Sequence, residues 1–175
     1  MNRAETSKVV LMLSATLQQQ NGGAVGDTDG LISGWHLVLE PVPYAEAEQA
    51  VRAYLRTEKW FPAPSELLAV VARLRHGAPT PYAGWQQALD HLRASQPPNL
   101  REFAGHEFVR QAVKAVGGWS HLRNAERPDR EREAFLAAYA EVLAAAVRDV
   151  ADPAQAVEAG GRIRQMAVTR TASAS

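Results

Sequence analysis

The segment that decides the fold is YAEAEQAVRAYLRTEKWFPAPSELLAVVARL, which runs from Tyr44 to Leu74. Apolar residues recur on both sides of its centre at the spacing of an α-helix, so the segment predicts two amphipathic helices. Between these helices lie two aromatic residues and two prolines, Trp60-Phe61-Pro62-Ala63-Pro64, which we call the elbow. Proline fixes its own φ angle and biases the preceding residue towards extended geometry, so the elbow predicts a rigid turn. Such a turn either serves folding alone or also presents its aromatic side chains to a partner.

The helix after the elbow carries a start signal and a stop signal. Pro64 stands where the first helical position is expected, and a carboxylate in the first turn, Glu66, is favoured by the helix dipole. The stop is predicted at His76-Gly77. Its predicted buried stripe consists of Leu67, Leu68, Val71 and Leu74. At the elbow we expect Phe61 to be buried and Trp60 to be at least partly exposed.

Helical spacing continues over the rest of the chain, and no stretch alternates like a β-strand. The sequence therefore predicts an all-α protein, with an N-terminal four-helix bundle-like domain followed by a smaller C-terminal helical half. The predicted buried faces of the other main helices are Val9, Val10, Leu13 and Leu17; Leu31, Ile32, Trp35, Val38 and Leu39; Phe108, Val109, Ala112, Val113 and Val116; and Phe135, Leu136, Tyr139, Val142, Leu143 and Val147.

Proline and glycine suggest the domain boundaries. The stretch GAPTP at 77–81 has two prolines and one glycine, and we interpret it as a linker between a domain at 1–76 and a helical region at 82–150. Residues 151–175 are predicted to form a short helix and a disordered tail.

Composition excludes several classes of protein. The chain has 175 residues, of which 46% are hydrophobic and 22% charged, as in a globular protein. Nineteen basic residues balance nineteen acidic ones, so the chain lacks the basic excess of an autonomous duplex-DNA binder. Cysteine is absent, which excludes disulfides and thiolate metal sites. No convincing signal peptide or membrane span is recognised, and we expect a cytoplasmic protein.

The sequence predicts no catalytic, cofactor or metal site and no small-molecule substrate. The glycine-rich stretch from Asn21 to Gly30 lacks the lysine and hydroxyl residue that a phosphate-binding loop places after its last glycine. Four histidines recur every fifteen residues, but proline and glycine breaks separate them, so we interpret the period as accidental. These histidines are His76, His91, His106 and His121.

Several motifs around the elbow resemble the phage family of loaders and inhibitors of the replicative helicase. They are Pro43-Tyr44, AVRAY at Ala50 to Tyr54, and FPAPSELL at Phe61 to Leu68. Trp85 to Leu89, His106 to Leu122 and Phe135 to Tyr139 resemble the C-terminal part of longer phage proteins of this kind, so the resemblance spans about Thr28 to Tyr139. The chain departs from the family at Ala63, where another proline is common, and at Pro64, which replaces a hydroxyl residue that could cap the helix.

The resemblance implies a small, non-enzymatic DNA-replication protein of a bacteriophage or prophage. Such proteins bind the hexameric DnaB-type helicase, hold it inactive and deliver it to an origin marked by an initiator protein. The implied partners are therefore the replicative helicase and a phage initiator, with weak or indirect contact to nucleic acid and none to a membrane. The implied location is the bacterial host cytoplasm. The residues that we expect to bind the partner are Tyr54, Trp60, Phe61, Pro62 and Pro64.

An alternative from another class is a DNA-binding replication or regulatory module that uses arginines of the C-terminal half. The candidates are Arg162, Arg164 and Arg170, or the cluster Arg123, Arg127, Arg130 and Arg132. Carboxylates neutralise the second group, namely Glu126, Asp129, Glu131 and Glu133. Salt-dependent binding of the isolated protein to DNA would favour this alternative.

Overall fold

The structure is a computed structural model that describes residues 1–17, 28–94 and 103–152. Over these ranges the chain forms eight helices and no strand, which confirms the predicted all-α class. The helices are α1 (Arg3–Thr16), α2 (Thr28–Leu39), α3 (Tyr44–Tyr54), α4 (Pro64–Arg75), α5 (Pro81–Ala94), α6 (Glu107–Ala115), α7 (Gly118–Arg123) and α8 (Pro128–Ala151). The loop predicted at Gln20 to Gly26 and the predicted tail lie outside the described residues.

The chain divides into two compact units. The first consists of Met1–Val71 with Val147–Ser175, and the second consists of Ala72–Ala146. The stretch 77–81 falls inside the second unit by this division. The domain boundaries drawn from the sequence stay a prediction.

Helix α1 begins with a capping box that sequence reasoning missed. The side chain of Asn2 accepts a hydrogen bond from the backbone N–H of Glu5 at 2.9 Å, and the carboxylate of Glu5 accepts one from the backbone N–H of Asn2 at 2.8 Å. The two bonds satisfy donors that the first helical turn leaves free. The predicted apolar face of α1 is buried as expected, at Val9, Val10, Leu13 and Leu17.

Helices α2 and α3 complete the core of the first unit. Trp35 and Leu39 of α2 are buried, whereas Leu31, Ile32 and Val38, predicted on the same face, are only half-buried. The buried face of α3 consists of Ala47, Ala50 and Val51, all small or β-branched. Polar contacts join α1 to α2, because Thr6 Oγ1 lies 3.2 Å from His36 Nδ1 and Arg3 pairs with Asp29 at 2.8 Å.

Helix α4 begins and ends as the sequence predicts. Pro64 is its first residue, and the carboxylate of Glu66 accepts a hydrogen bond from the backbone N–H of Ala63 at 2.8 Å. Its end is closed by Gly77, whose φ of +62° suits glycine, and by a bond from the N–H of Ala78 to the carbonyl of Arg73 at 2.9 Å. Leu67, Leu68 and Val71 are buried, but Leu74, in the last turn, is 37% exposed, so its predicted burial is wrong.

The core of the second unit is aromatic. Trp85 of α5 packs against Phe135 of α8, with ring centroids 5.3 Å apart. The hydroxyl of Tyr139 donates to the carbonyl of Pro79 at 2.6 Å. Helix α6 ends at Gly117, which has a φ of +101° and confirms the stop predicted there. Along α8 the buried residues are Phe135, Tyr139, Ala146 and Val150, whereas the predicted Leu136, Val142, Leu143 and Val147 are half-buried.

Candidate functional site

The elbow follows the end of α3. The carbonyl of Tyr54 accepts hydrogen bonds from the N–H groups of Thr57 and Glu58, at 3.1 and 2.9 Å, which close the helix. The chain then passes through the elbow into α4. Pro62 is buried and Pro64 is half-buried, so both prolines are held by the fold. The elbow is therefore a structured turn with a fixed exit direction at its second proline.

Phe61 anchors the elbow to α2. Its ring meets the ring of Trp35 edge to face, with centroids 5.5 Å apart. Aromatic pairs at this separation and angle are stabilised by their quadrupoles beyond the area that they bury. Trp35 is 2% exposed, which confirms its expected place in the core, whereas Phe61 is half-buried rather than buried as predicted. Phe61 covers the edge of the core while keeping part of its own ring accessible.

Trp60 faces the solvent at the adjacent position. Its exposure is 37%, which confirms that this tryptophan is partly exposed. The ammonium nitrogen of Lys59 lies 5.2 Å from the centroid of its ring, a cation–π arrangement. The elbow thus presents a large aromatic surface beside a positive charge.

Tyr54 lies in the same neighbourhood. Its side chain is half-buried. Burial raises the pKa of the Tyr54 phenol above its ordinary value, and the carboxylates of Glu66 and Glu58 raise it further. The phenol therefore stays protonated at neutral pH and can donate a hydrogen bond. The expected partner-binding residues Tyr54, Trp60, Phe61, Pro62 and Pro64 all belong to the first unit, and their role in binding stays a prediction.

Two exposed leucines of the first unit escaped sequence reasoning. Leu37 of α2 is 78% exposed and Leu11 of α1 is 57% exposed. The helical period alone places Leu37 away from Trp35 and Leu39, and this spacing is the signal that could have identified it. The backbone of α2 is also open near Leu37, since a Cβ added at Gly34 would have no neighbour within 4 Å.

The arginine cluster of the alternative interpretation lies along a cleft between α7 and α8. The cleft has a volume of about 710 Å³, and its lining includes Arg127, Arg130, Glu126 and Glu131. His121 lies in the cleft and pairs with Glu131 at 3.0 Å. The lining alternates positive and negative groups, so the cleft does not favour a polyanion. Arg162, Arg164 and Arg170 lie outside the described residues.

The four regularly spaced histidines have separate environments in the second unit. His91 packs against the ring of Trp119 at 4.4 Å, and His121 pairs with Glu131. His76 and His106 both contact Phe108. Within the described ranges no group of three histidine, aspartate or glutamate side chains could hold a metal ion. None of the described helices is long and apolar enough to cross a membrane.

Comparison with known proteins finds a family that includes the elbow. Residues 1–68 match the family model for the N-terminal domain of the phage gene 39 product. The match covers α1 to α3, the whole elbow and the first turn of α4. No curated protein and no solved structure matches the chain. The resemblance of the second half, up to Tyr139, stays a prediction.

Proposed function

Because residues 1–68 match the N-terminal domain family of this phage protein, which is a loader and inhibitor of a DnaB-type helicase, we propose that the chain binds a hexameric DnaB-type replicative helicase, holds it inactive and delivers it to an origin. The family is not itself catalytic. The proposed protein is therefore a non-enzymatic factor that acts by contact with the helicase, and a phage initiator that marks the origin is its second proposed partner.

The observation that carries the proposal is the division of roles at the elbow. Phe61 is held against Trp35, whereas Trp60 next to it is exposed on the same rigid turn. A preorganised aromatic side chain is a favourable interface anchor, because little conformational entropy is lost when it is buried. We therefore assign Trp60 as the main anchor, with Tyr54 as a hydrogen-bond donor beside it.

Inhibition follows from differential affinity. A protein that binds one conformation of the helicase more tightly than the others raises the population of that conformation. If the favoured conformation cannot engage single-stranded DNA, unwinding stops while the complex persists. Such a mechanism requires no nucleotide site in this chain, since the helicase supplies the ATPase.

The decisive experiment measures binding to the cognate helicase and its activity in the same preparations. The wild-type protein should form a stable complex and lower both unwinding and ATP turnover. Substitution Trp60→Ala should weaken binding roughly 30-fold, the loss typical of an interface hot spot of about 2 kcal/mol. The matched control is Tyr82→Ala, which removes an aromatic side chain that is 59% exposed in the second unit. That variant should bind like the wild type.

Two failures have different meanings. If the folded wild-type protein forms no complex at micromolar concentration, helicase binding is refuted. If the wild type binds and Trp60→Ala binds equally well, the helicase function stands and the elbow is not its docking surface. Delivery is tested separately, by asking whether unwinding resumes when initiator-bound origin DNA is added to the inhibited complex.

A further inference from the structure

The ring of His106 joins the end of α4 to the start of α6 within the second unit. Its Nδ1 accepts a hydrogen bond from the backbone N–H of Phe108 at 3.1 Å and so caps α6. Its Nε2 lies 2.9 Å from the carbonyl oxygen of His76, the residue that follows α4. A carbonyl oxygen only accepts, so Nε2 must carry a hydrogen, whereas Nδ1 must be bare. Only the neutral imidazole with its proton on Nε2 makes both bonds.

The cap is connected to the core through Phe108. This residue is 8% exposed, and its ring lies 5.0 Å from the ring of His106 and 5.3 Å from the ring of His76. On the inner side the same ring faces Tyr139 of α8 at 6.2 Å. A change in the hydrogen bond at the Phe108 backbone therefore acts on a residue that packs against three other rings.

We propose that His106 is a pH-sensitive clasp, closed while its imidazole is neutral and opened when Nδ1 takes a proton from solvent. A proton on Nδ1 removes the acceptor and places an N–H group opposite the N–H of Phe108. The new positive charge also lies at the N-terminus of α6, where the helix dipole disfavours cations. The bond from Nε2 to the His76 carbonyl survives protonation, so the side of the clasp that opens is the one on α6.

The charged groups of α6 near the clasp are Glu107 and Arg110, which pair with each other. A hydrogen bond from Gln111 is the main cause that holds the pKa of Glu107 below its ordinary value, and the nearby His106 also contributes. Glu107 is therefore a carboxylate throughout the range in which imidazoles titrate, and its charge does not change when the clasp opens. Its attraction for a protonated imidazole favours opening.

On the other elements, the relevant groups are Arg75 and His76 at the end of α4 and Tyr139 of α8. Arginine stays charged, and burial raises the pKa of Tyr139 to about 12, so neither titrates near neutrality. His76 is a second imidazole, and its ring touches Phe108. His76 is therefore the group that could imitate the clasp, and it supplies the control.

Nuclear magnetic resonance of the wild-type full chain tests the proposal directly. At about pH 8 the ring nitrogens of His106 should show the neutral form with its hydrogen on Nε2. The protection of the Phe108 amide against hydrogen exchange, corrected for the intrinsic rate at each pH, should fall about tenfold towards pH 5, as the loss of a cap predicts. A hydrogen on Nδ1 at pH 8, or a constant protection of Phe108, would overturn the clasp.

Two variants separate His106 from His76. Substitution His106→Asn retains a side-chain oxygen that can accept from Phe108 but has no titrating group, so its Phe108 protection should not depend on pH. Substitution His76→Asn keeps the backbone carbonyl and should respond like the wild type. The reverse pattern would assign the response to His76 and refute the proposal. The tautomer measurement needs no variant and decides the matter if His106→Asn does not fold.

Discussion

The same glycine-to-alanine substitution should have opposite effects at two helical positions. A Cβ added at Gly84 of α5 would lie 3.1 Å from Cγ2 of Val109 and 3.2 Å from Cε2 of Tyr139. A Cβ added at Gly34 of α2 would meet nothing within 4 Å. Gly84 thus permits the close approach of three helices, whereas Gly34 lies on an open helix surface.

The magnitudes follow from the two neighbours of Gly84. Ordinary van der Waals contact begins at 3.4 Å, so Val109 and Tyr139 would each have to withdraw by a few tenths of an ångström. Neither can withdraw easily, because both are 0% exposed and the Tyr139 hydroxyl is bonded to Pro79. Overpacking costs about 1–3 kcal/mol, against a gain of about 1 kcal/mol for alanine in a helix. We expect Gly84→Ala to lower the free energy of unfolding by about 1 kcal/mol and Gly34→Ala to raise it by about 0.5–1 kcal/mol.

Urea denaturation followed by far-ultraviolet circular dichroism measures both variants against the wild type. The two substitutions lie in different compact units, so if the units unfold separately each shift should appear in its own transition. In thermal unfolding, 1 kcal/mol corresponds to a shift in Tm of about 2–4 °C for a chain of this size. A Gly84→Ala protein as stable as Gly34→Ala would refute the close approach of α5, α6 and α8.

Three further substitutions test other parts of the fold. Asn2→Ala should lower the free energy of unfolding by about 1 kcal/mol through loss of the α1 cap, whereas Asn2→Asp should retain it; equal loss in both would contradict the capping box. Ala63→Ser adds an acceptor at the start of α4 opposite Glu66 and should stabilise by about 0.5–1 kcal/mol in denaturation, and no gain would show that the α4 N-terminus cannot use it. Tyr139→Phe removes a phenol whose folded pKa, about 12, exceeds the ordinary 10, so the stability that the wild type gains from this group is complete below pH 10 and lost between pH 10 and 12. The free energy of unfolding should therefore fall less steeply with pH in Tyr139→Phe over that interval, and identical slopes would refute the buried hydroxyl.

The sequence predicted the features that depend on local chemistry. Helical spacing identified the buried faces of α1 and α6, and proline and glycine identified both ends of α4. These signals are local, because a helix end is set by residues within one turn of it. The cap at Asn2 was also readable, since a glutamate follows three residues later, but it was overlooked.

Features that depend on contacts distant in sequence could not be predicted from one chain. The pairing of Phe61 with Trp35 crosses 26 positions of sequence, and the bond from His106 to His76 crosses 30. Nothing in the spacing of these residues states that they meet. Partial burial is equally inaccessible, because Leu136 and Val142 carry the same apolar signal as the fully buried Phe135.

The elbow shows why the candidate site needed both kinds of information. Trp60 and Phe61 are adjacent aromatic residues, and composition gives no reason to assign folding to one and recognition to the other. The position of Trp35 makes the assignment, because it gives Phe61 a partner in the core. Trp60 then remains partly exposed on a turn that Pro62 and Pro64 hold in place. Since stability at this turn rests on Phe61 and accessible aromatic surface on Trp60, Phe61→Ala should reduce stability first, whereas Trp60→Ala should reduce helicase binding with the fold intact.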